Sequence, residues 1–189
     1  MAPSRTEVEV KLRFDSARDA VQLLESSGAD LVAPRAFEDN HVYDLASGEL
    51  RNTSRLLRLR RKGTVFTLTF KSKVAGESRH KVYLEHETKI EDGEQMHLLL
   101  TALGYTPWYR YQKYRTVYRL DDVEVSLDET PIGCFVELEG EGDAIDRLAS
   151  RLGFTPDRYI RDTYHDLHEA DAAARGVPAG DLVFAETDG

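Results

Sequence analysis

The sequence predicts an α+β protein built on an eight-stranded, mainly antiparallel β-barrel with a charged interior and helices packed outside. Two observations predict it. First, charge recurs at every second residue in six segments: Glu7-Val8-Glu9-Val10-Lys11, Leu57-Arg58-Leu59-Arg60, Leu68-Thr69-Phe70-Lys71, Glu85-His86-Glu87, Lys113-Tyr114-Arg115-Thr116-Val117 and Val136-Glu137-Leu138-Glu139. Side chains alternate faces along a strand, so the charges share one face and mostly apolar residues the other. Second, strand-like and helix-like segments follow one another without βαβ alternation, the pattern of a mainly antiparallel sheet. Eight such strands can close into a barrel whose interior holds side chains or one small ligand.

Element by element, residues 6–14 read as a strand. Ser16 is placed to cap a helix running to about Ser27, with Val21, Leu23 and Leu24 inward and Gly28 after its end. A short strand is expected over Phe37–Tyr43, and a turn at Gly48 and Asn52. Leu56–Arg61, Val65–Lys73 and His80–Lys89 read as a meander with Gly63 and Gly76 in its turns. Asp92 can cap a helix through Leu103, stopped by Gly104. Strands follow at 111–120, 122–128 and 133–140, then a helix over Asp143–Leu152 and a last helix over Asp162–Arg175. The Gly-, Ala- and Asp-rich stretch from Gly176 predicts a loose tail. The chain of 189 residues thus reads as one domain over 1–175 with a tail over 176–189.

Composition narrows the function. Hydrophobic residues make up 41% and charged residues 31%, a globular balance. No stretch nears the ~18–20 apolar residues of a membrane helix, and no membrane partner is expected. The Met-Ala-Pro-Ser-Arg start has no apolar leader core, so a cytoplasmic location is expected. The lone cysteine, Cys134, leaves no intramolecular disulfide or cysteine-rich metal site. Net charge of −9 argues against a nucleic-acid surface. Yet basic residues crowd one third of the chain, from Arg51 to Lys81. A local basic site inside an acidic protein suits a small polyanion. The expected assembly is a monomer or homodimer.

Taken singly, each alternating strand is explained by one wetted face of a sheet. Jointly, acids pair as E-x-E on separate strands, about 6–7 Å apart on one face. Such carboxylates repel unless a cation sits between them. Oxygen-only clusters suit Mg²⁺ or Mn²⁺, which share their ligands with substrate phosphates. Arginines and lysines on neighbouring strands suit phosphate oxygens. His80, His86 and His97 lack a shared zinc-ligand spacing. Tyr43 and Cys134 read as packing residues.

In order along residues 6–168, these motifs resemble the CYTH superfamily, the triphosphate tunnel metalloenzymes that join class IV adenylate cyclases to thiamine triphosphatases. The first is E-x-E-x-K at Glu7, Glu9 and Lys11. Then come Arg58 and Arg60, Lys71 in Thr-Phe-Lys, Glu85-x-Glu87, and Lys113 with Arg115. Ser126-Leu127-Asp128-Glu129, Gly133-Cys134-Phe135-Val136-Glu137-Leu138-Glu139 and Thr163-Tyr164-His165-Asp166-Leu167 complete the set. The resemblance implies a tunnel. Lys11, Arg58, Arg60, Lys71, Lys113 and Arg115 would hold a linear triphosphate, joined by Arg161, with Arg158 as the alternative. Glu7, Glu9, Glu137, Glu139 and Asp128 would bind Mg²⁺ or Mn²⁺. Lys11, Glu85, Glu87 and Asp128 would serve catalysis, the acids by orienting water. The implied reaction is hydrolysis of tripolyphosphate, a nucleoside triphosphate or thiamine triphosphate. Class IV cyclisation of ATP to cyclic AMP and pyrophosphate is the alternative, and a non-catalytic polyphosphate- or nucleotide-binding module the second.

Overall fold

The computed structural model describes residues 5–76 and 78–185. Eight strands close into an antiparallel barrel in the order β1-β5-β4-β3-β2-β6-β7-β8. They are β1 (Arg5–Phe14), β2 (Asp30–Leu45), β3 (Arg55–Lys62), β4 (Val65–Lys73), β5 (Lys81–Ile90), β6 (Tyr105–Leu120), β7 (Val123–Thr130) and β8 (Gly133–Glu139). The helices are α1 (Ala17–Ser26), α2 (Glu49–Asn52), α3 (Gly93–Ala102), α4 (Gly142–Arg151) and α5 (Tyr164–Arg175), with a 3₁₀ turn at Pro156–Arg158.

The expected caps form. The Ser16 side chain accepts from the backbone of Asp19 at the start of α1, and Asp92 from that of Gln95 at the start of α3. At α5, Thr163 and Asp166 make a reciprocal capping box, so this helix begins at Tyr164 rather than at Asp162. The turn expected after Gly48 tightens into the single helical turn α2. The buried Asp44 carboxylate holds it by accepting from the backbone N–H groups of Leu45, Leu50 and Arg51.

Two strands are longer than their patterns show. β2 begins at Asp30 and β6 at Tyr105, and the two pair from Asp30↔Arg119 to Leu45↔Tyr105. Register shifts after Leu31, Ala33 and Val42 interrupt the alternation and bend the pair. Pro107, which has no N–H to donate, sits at one of these shifts, opposite Tyr43.

Apolar faces point outward under the helices. Val10, Leu12, Val125, Leu127, Val136 and Leu138 pack with Leu24 of α1 and with Ile145 and Leu148 of α4. All are within 3% of full burial. Burying each such side chain is worth about 1.5–3 kcal/mol. On the other side, α3 sets Leu100 and Met96 against Leu59 and Tyr43.

Two gaps in the ladder are filled by later chain. β5 pairs with β1 only up to Glu9, and beyond it Ile160 bridges to Lys11. β7 reaches β6 only from Tyr114 onward, leaving the edge at Arg110–Gln112 free. The described part of the tail expected to be loose docks there through Leu182, while residues 186–189 lie outside the described residues. Leu182 is 2% exposed, donates to Arg110 O (2.9 Å) and accepts from Gln112 N (2.8 Å). The free edge supplies hydrogen bonds that tail composition cannot reveal. No described helix is long and apolar enough to cross a membrane.

Candidate active site

Register fixes which side chains share the lumen. Glu9 lies opposite Glu139 and Lys11 opposite Glu137 across β1 and β8. Across β1 and β5, Glu7 faces Tyr83 and Glu9 faces Lys81. Lys71 is level with Glu85, and Thr69 with Glu87. Arg115 is level with Asp128, and Asn40 with Arg60. Tyr164, the first residue of α5, reaches into one end of the barrel. Its ring lies 5.1 Å from Lys11 Nζ and 5.3 Å from Lys113 Nζ, packed on Tyr111 and Phe135.

The acids on β1 and β8 divide into two pairs. Lys11 Nζ sits 3.2 Å from Glu9 and 3.0 Å from Glu137. Burial works against both carboxylates, but the Lys11 ammonium outweighs it and keeps both ionised. Glu9 falls to about 2, and Glu137 falls well below the carboxylate range with Arg115 and Lys113 assisting. The other pair behaves oppositely. Glu7 is pushed up to about 8, chiefly by burial, with Glu9 and Glu85 adding to the rise and Lys71 opposing it. Lys71 contacts Glu7 and, at 2.8 Å, Glu85. One ammonium thus serves two carboxyl groups, and Glu7 keeps the proton. Glu139 is raised by burial too, against Arg5 at 2.6 Å on the rim. Lys81, 3.7 Å from Glu9, is lowered to about 8 by burial and by Lys11.

Asp128, fully buried, organises the opposite group. It accepts from Lys113 Nζ (2.8 Å), from Arg115 Nε and an Nη (2.6 and 2.5 Å), and from the Tyr164 hydroxyl (2.7 Å). Arg115 also donates to Glu137. Arg58 donates to the Tyr111 hydroxyl (2.9 Å) and to Thr69 (3.2 Å). Arg60 lies 3.4 Å from Glu87 at the more exposed end, where Thr69 also donates to Glu87 (2.8 Å).

The structure therefore brings together Glu7, Glu9, Lys11, Arg58, Arg60, Lys71, Glu85, Glu87, Lys113, Arg115, Asp128, Glu137 and Glu139 on the inward faces of the strands. It does not bring Arg161 there. Arg161 is exposed and donates to the Ser78 carbonyl (2.8 Å), and Arg158 is exposed on the 3₁₀ turn. Both lie on the segment that pairs its backbone with Lys11, so their side chains turn outward while Ile160 makes the bridge. Both oxygens of Asp128 accept from cations and a phenol, as those of Glu137 accept from Lys11 and Arg115. Tyr43 packs, bonding His97 Nδ1 (2.8 Å), and His80 bonds Asp146 (2.9 Å). Cys134 is buried, and burial raises its thiol to about 11.

Sequence reasoning missed Glu38, Asn40, Lys81 and Tyr164 as lumen residues. Glu38-Asp39-Asn40-His41 is polar on both faces, so alternation could not say which face is inward. Lys81 stands at the first position of its strand, beside a loop, where no alternation precedes it. Tyr164 lies in a recognised motif, but only the tertiary path carries α5 across the barrel end.

The donor set fits a hard divalent cation. Glu7, Glu9, Glu137 and Glu139 are all carboxylates on adjacent strands, and burial raises two of them, Glu7 and Glu139, above the ordinary carboxylate value. They are not gathered tightly, because Lys11, Lys71 and Arg115 stand between them. Among the described residues, the one compact group of possible ligands is His165, Asp166 and Glu169. That group lies on the outside of α5, with Asp166 committed to the helix cap.

Glu7 supplies a stability test. Its folded-state value of about 8 exceeds the ordinary 4.5, so between those values the folded chain holds a proton that the unfolded chain has released. The contribution of Glu7 to stability in chelator therefore falls as pH rises from about 5 to 8. Glu7→Gln, neutral throughout, flattens that slope and leaves the protein more stable at pH 7.5, by on the order of 1–2 kcal/mol. Urea unfolding at several pH values reads the effect. An unaltered slope in Glu7→Gln contradicts it.

Comparison with known proteins gives the same frame. The CYTH domain family model matches residues 5–152. A protein of Methanocaldococcus jannaschii named "putative adenylate cyclase" is 27% identical over 172 residues, covering 85% of this chain and 97% of that protein. The structure of a "putative adenylate cyclase" from Vibrio parahaemolyticus superposes with a TM-score of 0.74 at 16% identity, covering 87% of this chain and 98% of its own. An adenylyl cyclase candidate from Hippeastrum, described as having a dominant triphosphatase activity, superposes with a TM-score of 0.61 at 20% identity. It covers 91% of this chain and 97% of its own. On the family match over most of its length, the chain belongs to the CYTH domain family.

Proposed function

We propose that the protein is a metal-dependent triphosphatase that draws a linear triphosphate into the barrel and hydrolyses a phosphoanhydride bond. The observation that carries this reading is the interleaving of lumen charge. Lys11, Lys71, Lys113 and Arg115 are each paired with a lumen carboxylate, and Arg58 and Arg60 border Glu87. Such an interior is balanced when empty, and it stays balanced if a polyanion and divalent cations enter together. The ammonium and guanidinium groups then turn to phosphate oxygens. The carboxylates they leave are freed to bind metal.

In this reading Lys11, Arg58, Arg60, Lys71, Lys113 and Arg115 grip the phosphates. Glu7, Glu9, Glu137 and Glu139 hold Mg²⁺ or Mn²⁺, in keeping with the metal dependence of the family. Bound there, the metal neutralises charge that develops on phosphoryl oxygens. Asp128 holds Lys113 and Arg115 until phosphate takes them, and Glu85 and Glu87 lie beside Lys71 and Arg60 to order water. Localisation in the cytoplasm belongs to the same reading.

A class IV adenylate cyclase is the second reading, favoured by the name of the Methanocaldococcus jannaschii relative. Hydrolysis needs water in line with a phosphorus atom; cyclisation needs the ribose 3′-hydroxyl in line with the α-phosphorus. The Hippeastrum protein, called a cyclase and described by its triphosphatase activity, shows that a cyclase label and hydrolysis can meet in one fold. One assay decides. The protein is incubated with Mg²⁺ or Mn²⁺ and either tripolyphosphate or ATP, and the products are resolved. Orthophosphate is the expected product. Cyclic AMP with pyrophosphate as the main outcome replaces the first reading with the second. Tight binding without turnover replaces both with a binding module.

A further inference from the structure

Glu38 is 1% exposed on β2, across the barrel from β1, and no motif draws attention to it. Lys62 and Lys113 approach it to 3.9 Å, and Arg58, Arg60 and Arg115 surround it. Apart from Lys62, whose ion pair is with Glu38 itself at 3.9 Å, these cations have nearer partners. Lys113 and Arg115 donate to Asp128, Arg58 to Tyr111 and Thr69, and Arg60 points to Glu87. Glu38 Oε2 is a buried acceptor with no donor. Two residues along the same face, Asn40 is fully buried. Its amide nitrogen donates to Tyr111 O (3.4 Å), while its Oδ1 has no donor. Two unmet acceptors thus stand side by side in the midst of the cations assigned to phosphate.

A carboxylate cannot abut a phosphate oxygen. With a triphosphate held by these cations, whatever lies between Glu38 and the phosphate must carry hydrogens or positive charge, and the four carboxylates assigned to the metal lie on β1 and β8 across the barrel. Acceptors two residues apart on a strand are about 6–7 Å apart at their Cα atoms. A water donating hydrogen bonds of about 2.8 Å to two acceptors bridges oxygens roughly 4.5 Å apart, a separation that side chains reaching inward from this Cα spacing can adopt. Donating both hydrogens this way, it presents a lone pair to the phosphate. We propose that Glu38 and Asn40 hold the attacking water, a role that rests on the triphosphatase reading. The water lone pair forms the new P–O bond, and the bridging P–O bond breaks with its electron pair on the departing diphosphate. One water hydrogen stays on orthophosphate and the other leaves with diphosphate, so atoms and charge balance.

The test uses the full-length protein, tripolyphosphate and saturating Mg²⁺, with Glu38→Gln, Asn40→Ala and the double variant. Glu38→Gln lowers kcat by ~10²-fold, the usual range for losing one group that acts on the transferred proton or its carrier. KM stays level or falls, because a carboxylate has left the phosphate site. The Mg²⁺ concentration for half-activation does not move. Asn40→Ala lowers kcat about tenfold, and the double variant loses less than the product of the two, since both disturb one water. Glu38→Asp, which withdraws the oxygen by one methylene, shows the same kcat loss and serves if Glu38→Gln does not fold. An unchanged kcat in Glu38→Gln, or a loss restored by more Mg²⁺, overturns this assignment while wild-type turnover keeps the proposed function standing. Wild-type protein that turns over no triphosphate, or that makes cyclic AMP, overturns that function and the water assignment together.

Discussion

In the proposed function, chelation is expected to abolish turnover of tripolyphosphate, and Mg²⁺ or Mn²⁺ to restore it. Among the four carboxylates assigned to the metal, the variants separate by what each side chain does in the empty barrel. Glu139 carries a raised value caused by burial, and its one close cation is the exposed Arg5. An ion pair with so exposed a partner contributes little. Glu139→Gln therefore removes a ligand at small structural cost: kcat falls ~10²-fold or more while the urea midpoint holds or rises. Glu9→Gln loses both. Glu9 is ionised beside Lys11 and Lys81, and neutralising it leaves Lys81 without its nearest carboxylate. Kinetics in Mg²⁺ buffers, with urea unfolding of each variant in chelator, read the two quantities separately. If Glu139→Gln retains wild-type kcat and wild-type metal requirement, Glu139 is not a ligand.

The barrel and most of its lumen were legible because one physical rule governs both. Charge alternates with apolar residues where a strand has a polar inside and a helix-covered outside, and β1 and β8 obey it almost without interruption, as do residues 57–60 of β3 and 113–117 of β6. Legibility failed where that rule was masked. β2 carries Glu38 and Asn40 inward, but Asp39 binds Arg110 on the other face (2.9 and 2.8 Å), so both faces are polar. Its N-terminal half is also broken by register shifts, which erase the period. Arg161 failed for another reason. Its motif position placed it near the tunnel, but the backbone bridge of Ile160 to Lys11 decides which way its neighbours point, and sequence spacing holds no record of that pairing. The tail failed likewise, because its partner is an unpaired edge of β6 seventy residues earlier.

Asp128→Ala has the largest expected effect on stability. Asp128 is fully buried and carries the charge of Lys113, 2% exposed, and of Arg115, together with the Tyr164 hydroxyl. Removing it leaves Lys113 with only Glu38, 3.9 Å away, and strips α5 of the hydrogen bond by which Tyr164 holds the barrel end. Breaking a buried ionic network by deleting its central partner costs about 3–5 kcal/mol. Asp128→Asn keeps an acceptor for Tyr164 but not the charge, so its loss is smaller. Ligand then favours the variant. In the proposed function, Lys113 and Arg115 leave Asp128 to take phosphate, and in Asp128→Ala they have nothing to leave. Tripolyphosphate added without metal therefore raises the Tm of Asp128→Ala by more than that of wild type, and the stability gap narrows. Thermal unfolding across a tripolyphosphate series measures both shifts. A variant as stable as wild type would show that the network is not structural. An equal ligand shift in the two proteins would show that Lys113 and Arg115 do not move from carboxylate to phosphate.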